Sequence, residues 1–202
     1  MNKSNKLVQG IGNKGTTYPT WDGKVNLKEY KLWVDMLLRC TPKFWGNRPT
    51  YAGTTCSENF KSYTFFYEWC QEQVGFGRKD EKGKSWQLDK DLLIKSNKVY
   101  SEDTCVFIPQ EVNALILNRQ LGRGCYPLGV YFKTKPSKYV AKCRVGKGEI
   151  VYLGSFDTQA DAFQAYKQGK EAYIKVVAEN WKQDIDTRAY RALMDYQVEI
   201  TD

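Results

Sequence analysis

The chain has 202 residues, of which 42% are hydrophobic and 14% aromatic, enough to bury one large core or two small ones. Lysine and arginine number 31 against 23 aspartates and glutamates, and the net charge of +8 favours a polyanionic partner such as nucleic acid. The sequence contains no histidine, which excludes imidazole catalysis, and no stretch reaches the roughly 18 apolar residues of a membrane span, so no membrane partner is expected.

The first third of the chain predicts two helices. Residues 1–15 are rich in Asn, Lys and Gly without the apolar core of a signal peptide, which predicts a disordered N-terminus and a cytoplasmic protein. Apolar residues at helical spacing predict helices over about 27–40 and 58–73. Proline, glycine, asparagine and threonine dominate residues 41–55, which predicts a loop.

The six cysteines are widely separated in the sequence. No pair has the C-x-x-C spacing, and no histidine is present to complete a zinc site. We therefore expect reduced thiols that are mostly buried.

The middle of the chain predicts a strand, a turn, a second strand and a helix. The first strand begins at Trp86, the turn covers 95–98, the second strand covers 105–108, and the helix opens at Pro109. Glycine and proline then predict a linker over about 119–127.

The last third predicts three short strands followed by a long helix. The strands cover 129–133, 138–145 and 149–153, and Thr158 with Asp161 forms a capping box at the start of the helix. Three strands and one helix can bury a shared face, which predicts a small domain over 126–182. A short helix over about 186–197 is expected in the remaining tail, 183–202.

The middle strand of this predicted sheet has one apolar and one basic side. Strand alternation sends Tyr139, Ala141 and Cys143 to one face and Lys142 and Arg144 to the other. Long cationic side chains on a sheet suit phosphates and guanine edges, although a solvated face would show the same pattern.

A family resemblance favours DNA binding. The sequences Lys-Tyr-Val-Ala-Lys-Cys-Arg at 138–144, Tyr-Leu-Gly-Ser-Phe at 152–156 and Ala-Asp-Ala-Phe-Gln-Ala-Tyr at 160–166 resemble the Apetala/ethylene-response-factor DNA-binding domain. That family lays a three-stranded sheet in the major groove of duplex DNA. The resemblance implies these DNA-binding residues: Tyr131, Lys133, Lys135, Lys142, Arg144, Ile150 and Tyr152. Several family arginines are replaced, and lysine lacks the bidentate fork that discriminates guanine, so binding is expected to be more secure than sequence specificity.

The segment 88–113 resembles a second family, the phage-encoded HNH homing endonucleases, and residues 33–40 resemble its leading region. The resemblance implies a Mg²⁺ ion held by Asp89 and Asn113, with Lys90, Asp91 and Asp103 as candidate catalytic residues. Lys90 occupies the place of the family's general-base histidine. Two flanking aspartates stabilise its charged form, which argues against a role as base and allows phosphate binding.

The sequence thus predicts an α+β protein in two parts. A helical region with a degenerate strand, strand, helix element covers 16–120, and a response-factor-like domain covers 126–182. The leading hypothesis is a phage-type, Mg²⁺-dependent endonuclease or nickase acting on double-stranded DNA in the host cell cytoplasm. The alternative is a catalytically inactive relative that binds DNA or a host protein as a regulator or counter-defence factor. A charged turn after a strand, without any metal, is the plainer interpretation of Asp89 to Asp91.

Overall fold

The computed structural model describes residues 6–116, 126–146 and 148–200. Within these ranges the protein is α+β, as predicted, with six α-helices and seven β-strands. The chain divides into two compact units. The first contains the described residues up to Asn113 together with Asp184–Ala189, and the second contains the described residues of Ala114–Gln183 and those from Tyr190 onward. The predicted linker over 119–127 lies mainly outside the described residues.

Four α-helices begin before residue 117. The helix predicted over 27–40 is α1, Lys28–Arg39. The helix predicted over 58–73 is α3, which covers only Tyr63–Glu72 because the hydroxyl of Ser62 caps its first turn. The fourth helix, α4, covers Gln110–Ile116.

The prediction of a loop over 41–55 is wrong for part of that segment. A short helix, α2, covers Pro42–Asn47, and the first strand, β1, covers Thr55–Cys56. Thr41 caps α2 through its hydroxyl, and Pro42 takes a first-turn position where its missing N–H is not needed. Local capping therefore overrides a composition that is typical of loops.

Aromatic side chains make up much of the core of the first unit. Trp33 of α1 is fully buried, and its indole N–H donates to the carbonyl of Phe60 at 2.8 Å. The rings of Phe60 and Trp69 lie 4.8 Å apart, and the rings of Trp69 and Phe107 lie 5.8 Å apart.

Near the start of the chain, the amide of Asn13 donates to the carbonyl of Lys61 at 2.8 Å. Asn13 lies within the segment that was predicted to be disordered.

Two small sheets complete the first unit. Strand β1 pairs in parallel with β3, Val99–Tyr100, which the sequence pattern did not predict. Strands β2, Gln87–Asp89, and β4, Val106–Ile108, pair antiparallel and correspond to the two predicted strands. Pro109 separates β4 from α4, but β3 lies between β2 and β4 in the chain, so the predicted order of strand, turn, strand and helix gains one strand.

The second unit is a three-stranded antiparallel sheet packed against one long helix, as predicted. Its strands are β5, Val130–Thr134, β6, Ser137–Val145, and β7, Glu149–Phe156. Helix α5 covers Gln159–Trp181 and begins at the predicted cap, where the amide of Asp161 donates to the Thr158 hydroxyl at 3.1 Å. Buried residues from the sheet, from α5 and from the chain after residue 194 form one core, which consists of Val130, Ala141, Cys143, Ala162, Phe163, Tyr166 and Val198.

The predicted last helix is α6, Thr187–Met194. Beyond it, Val198 belongs to the same core as the sheet and α5. The ammonium of Lys167 donates to the carbonyl of Val198 at 2.8 Å, and the amide of Val198 donates to the Glu171 carboxylate at 2.8 Å. The core of the second unit therefore includes a residue outside the predicted domain, 126–182. That these residues form a domain on their own stays a prediction.

None of the helices in the described residues is both long enough and apolar enough to cross a lipid bilayer.

The five described cysteines carry free thiols, and four of them are buried. Burial raises the pKa of the Cys105 thiol to about 12, so this thiol stays protonated at neutral pH.

Candidate nucleic-acid interface

The register of the sheet places a defined set of residues on its outer face, the side opposite α5. Residues directly opposite each other on antiparallel strands share a face. Tyr131 pairs with Val140, Lys142 with Tyr152, and Arg144 with Ile150. Ala141 and Cys143, which alternate with Val140, Lys142 and Arg144 on β6, belong to the core. The three pairs therefore point away from α5. The outer face is defined by nine positions: Tyr131, Lys133, Lys138, Val140, Lys142, Arg144, Ile150, Tyr152 and Ser155.

The outer face is basic and partly apolar. Tyr131, Ile150 and Tyr152 are 57%, 58% and 59% exposed, which is unusual for large apolar side chains. Lys142 lies over the ring of Tyr131, with its ammonium 6.0 Å from the ring centre. None of the nine positions carries a carboxylate. Such a surface offers cations for phosphates and rings for bases or sugars.

Three of the four cations on this face have no carboxylate partner. Lys138 pairs with Asp157 at the edge of the sheet. Among the residues that the structure describes, Lys133, Lys142 and Arg144 form no ion pair, and all three are exposed. An anion that bound here would not have to displace an internal carboxylate from these three side chains.

A β-bulge shapes the end of this face. Ala141 pairs with Gly154 and Lys142 with Tyr152, so Leu153 is an extra residue on β7. The bulge lets Leu153 and Phe156 both pack on the core, and it turns Ser155 to the outer face, where its hydroxyl lies 2.7 Å from that of Tyr152. Strict alternation from Tyr152 would have pointed residue 155 inward. The signal in the sequence was Gly154, because glycine inside a strand often marks a bulge.

The structure therefore brings most of the predicted DNA-binding residues together. Tyr131, Lys133, Lys142, Arg144 and Tyr152 share the outer face, with Ile150 among them. Lys135 lies instead in the turn between β5 and β6, where it is exposed. Val140 also points outward, yet it is only 6% exposed, so it contributes packing and not a contact surface.

The predicted catalytic lysine is held by internal bonds in the first unit. Lys90 is 6% exposed, and its ammonium donates to the Asp91 carboxylate and to the carbonyl of Asn97, both at 2.6 Å. The rings of Tyr100 and Tyr51 lie 5.8 and 6.0 Å from the same nitrogen. The side-chain amide of Asn97 donates to the backbone carbonyl of Lys90 at 2.8 Å. Lys90 thus closes the turn between β2 and β3.

The carboxylates of this segment either form bonds within the same turn or are exposed to solvent. One oxygen of Asp89 accepts from the amides of Asp91 and Leu92, at 2.9 and 2.7 Å. Burial raises the pKa of the Asp89 carboxyl despite these two donors. Asp103 is exposed and Asn113 is partly buried in α4. Within the described ranges, no three Asp, Glu or Cys side chains lie where they could hold a metal ion together.

Replacing Lys90 by methionine should lower the stability of the chain by about 1–3 kcal/mol, because the Asn97 carbonyl loses a charged donor while the side-chain volume is nearly kept. Urea unfolding measures this loss. The matched control is Lys82→Met, since Lys82 is exposed and its ammonium makes no bond within the described residues. An unchanged urea midpoint for Lys90→Met would show that the lysine does not hold this turn.

No protein-family model matches the chain, and no curated protein or solved structure matches it either.

Proposed function

We propose that this protein binds duplex DNA through the outer face of its three-stranded sheet. One observation carries the proposal: three cations that form no ion pair within the described residues share a face with three exposed apolar side chains, and none of the nine positions of this face carries a carboxylate. The net charge of +8 agrees with a polyanionic partner.

The shape of the surface favours a B-form duplex. The major groove of B-DNA, about 12 Å wide, admits a ribbon of β-strands, whereas the major groove of A-form RNA is too narrow for protein side chains to read. Tyrosines can also stack on the bases of a single strand, so single-stranded DNA is the closest competing ligand. The face contains one arginine, Arg144, and its other cations are lysines without a bidentate fork. We therefore propose binding with modest sequence discrimination.

We further propose that the segment from Asp89 to Asn113 acts as a structural element and not as a nuclease centre. The ammonium of Lys90 is occupied by two short hydrogen bonds, and an oxygen of Asp89 is occupied by two backbone amides. A general base needs a free lone pair directed at water, which the Lys90 ammonium lacks, and the two amides compete with a metal ion for one oxygen of Asp89. The Mg²⁺ site of Asp89 and Asn113 stays a prediction, and no step of the proposed function uses a metal.

The full chain should retard a duplex DNA of about 20 base pairs more strongly than single-stranded DNA or duplex RNA of the same length. Its affinity should fall steeply with salt because counterions are released. Supercoiled plasmid incubated with the protein and Mg²⁺ or Mn²⁺ should stay supercoiled. Preference for the single strand would contradict the duplex assignment. Nicking of the plasmid would contradict the structural role of the 89–113 segment while leaving DNA binding in place.

A further inference from the structure

A second basic feature lies in the first unit, between α1 and β2. Side chains from α1 and from the segment around β2 line a groove of about 200 Å³, among them Lys28, Lys31, Asp35, Arg39, Ser85 and Gln87. The α1 residues recur every three or four positions, so they form one stripe along the helix. The groove is smaller than the 300 Å³ or more of typical drug-sized ligand sites, which suits a small group.

The charges around this groove are predominantly positive. Lys28, Lys31 and Arg39 line it, against the single carboxylate of Asp35. Lys28 is partly buried, and both its burial and the nearby positive charge of Lys79 lower the pKa of its ammonium, whereas Glu29 opposes them. Holding cations close together costs free energy unless an anion joins them.

The cations of the groove are not neutralised by salt bridges. In the described part of the chain, Lys28, Lys31 and Arg39 form no ion pair with a carboxylate. Arg39 donates instead to the hydroxyl of Tyr100 at 3.3 Å, and its guanidinium lies 6.0 Å from the ring of Tyr51. These neighbours orient the guanidinium, and the carboxylate of Asp35 offsets part of its positive charge.

The opposite wall adds polar groups. Ser85 is partly buried and Gln87 is exposed at the edge of the groove, where its amide nitrogen donates to the carbonyl of Ser85 at 3.1 Å. A hydroxyl and an amide beside three cations form the donor set that phosphate oxygens accept from in nucleic-acid complexes.

We propose that the groove between α1 and β2 is a phosphate-binding site, whose ligand is a phosphodiester of the DNA backbone. Its identification with DNA rests on the proposed function, whereas its affinity for a phosphate group does not. Lys28 and Lys31 supply the attraction, Arg39 supplies a fixed fork, and Asp35 limits the affinity.

The test uses the full chain with two probes, a 20-base-pair duplex and inorganic phosphate. The variants are Lys28→Gln with Lys31→Gln, and Asp35→Asn. The matched control is Lys24→Gln with Lys43→Gln, which removes two exposed positive charges from the same unit without touching the groove. Affinity for the duplex is measured against salt concentration, and the rise in melting temperature is measured against phosphate concentration. Because phosphate also stabilises proteins by exclusion, the relevant quantity is the difference from the control.

We expect the Lys28/Lys31 variant to lower the slope of log affinity against log salt by one to two, with a much smaller change in the control. Asp35→Asn should raise duplex affinity several-fold, a gain that a misfolded variant would not produce. If phosphate raises the melting temperature and this rise is lost only in the Lys28/Lys31 variant, the groove is a phosphate site. If the salt slope for the duplex is unchanged in the same variant, the ligand of this site is free phosphate and not DNA.

The proposal is wrong if the groove variants and the control give the same salt slope with the duplex and the same rise in melting temperature with phosphate. If the unmodified chain does not bind duplex DNA at all, the proposed function fails, and the phosphate titration still decides whether the groove is an anion site.

Discussion

Replacing Lys142 and Arg144 together by alanine should weaken duplex DNA binding about 10- to 100-fold at physiological salt, and should lower the salt slope by about two. Both side chains are exposed on the outer face of the sheet and form no ion pair within the described residues, so their loss would remove the proposed phosphate or base contacts and leave the core unchanged. Fluorescence anisotropy of a labelled duplex across a salt series measures both quantities.

The matched control is Lys175→Ala with Arg191→Ala. This pair removes the same net charge from exposed positions on α5 and α6, outside the sheet. A general loss of positive charge would affect the two double variants equally, whereas a specific interface would affect the sheet variant far more. Equal affinities and slopes in the two double variants would place the DNA-binding surface elsewhere.

Replacing Gly129 by alanine should unfold the second unit or destabilise it by about 3–5 kcal/mol. Two effects add. The backbone of Gly129 has φ of +73°, which costs an L-residue about 1–2 kcal/mol. An added Cβ would also lie 2.0 Å from the ring of Tyr166, a core side chain that is only 5% exposed and has little room to move.

The control for this prediction separates strain from crowding. Gly146 also has a positive φ, +49°, but a Cβ there would meet no atom within 4 Å. Gly146→Ala should therefore cost only the backbone term of about 1–2 kcal/mol. Near-UV circular dichroism during thermal unfolding compares the two variants. Similar melting temperatures for them would mean that the contact of Gly129 with Tyr166 does not limit the stability of the sheet.

Loss of the sheet through Gly129→Ala should weaken duplex binding at least as much as Lys142→Ala with Arg144→Ala, although no side chain of the proposed DNA-binding face is changed. Together, the two variants distinguish a surface that contacts DNA from the core that holds this surface in shape.

Periodic and local features of the sequence determined most of the second unit. Alternation along β6 predicted which side chains leave the core, because a strand has a period of two wherever one face is buried. The Thr158 cap predicted where α5 begins, since the capping bond joins residues three apart in sequence. The same kind of signal predicted α1, whose apolar stripe faces the core of the first unit.

Tertiary structure decided the features that depend on contacts between distant segments. The bulge at Leu153 changed the side on which Ser155 lies, and strand β3 formed because Val99 and Tyr100 found a partner more than 40 positions earlier at Thr55 and Cys56. Neither result follows from local propensity, because a strand's neighbour decides its register.

The chemistry of the predicted catalytic segment was decided in the same way. The sequence placed Lys90 between two aspartates, and only the folded chain joined its ammonium to the carbonyl of Asn97 and buried it between Tyr51 and Tyr100. Likewise, only the folded chain places the β2 segment beside Lys28, Lys31 and Arg39 to form a groove. Residue types and their periods are local properties, whereas burial and bonding partners arise from the packing of the whole unit.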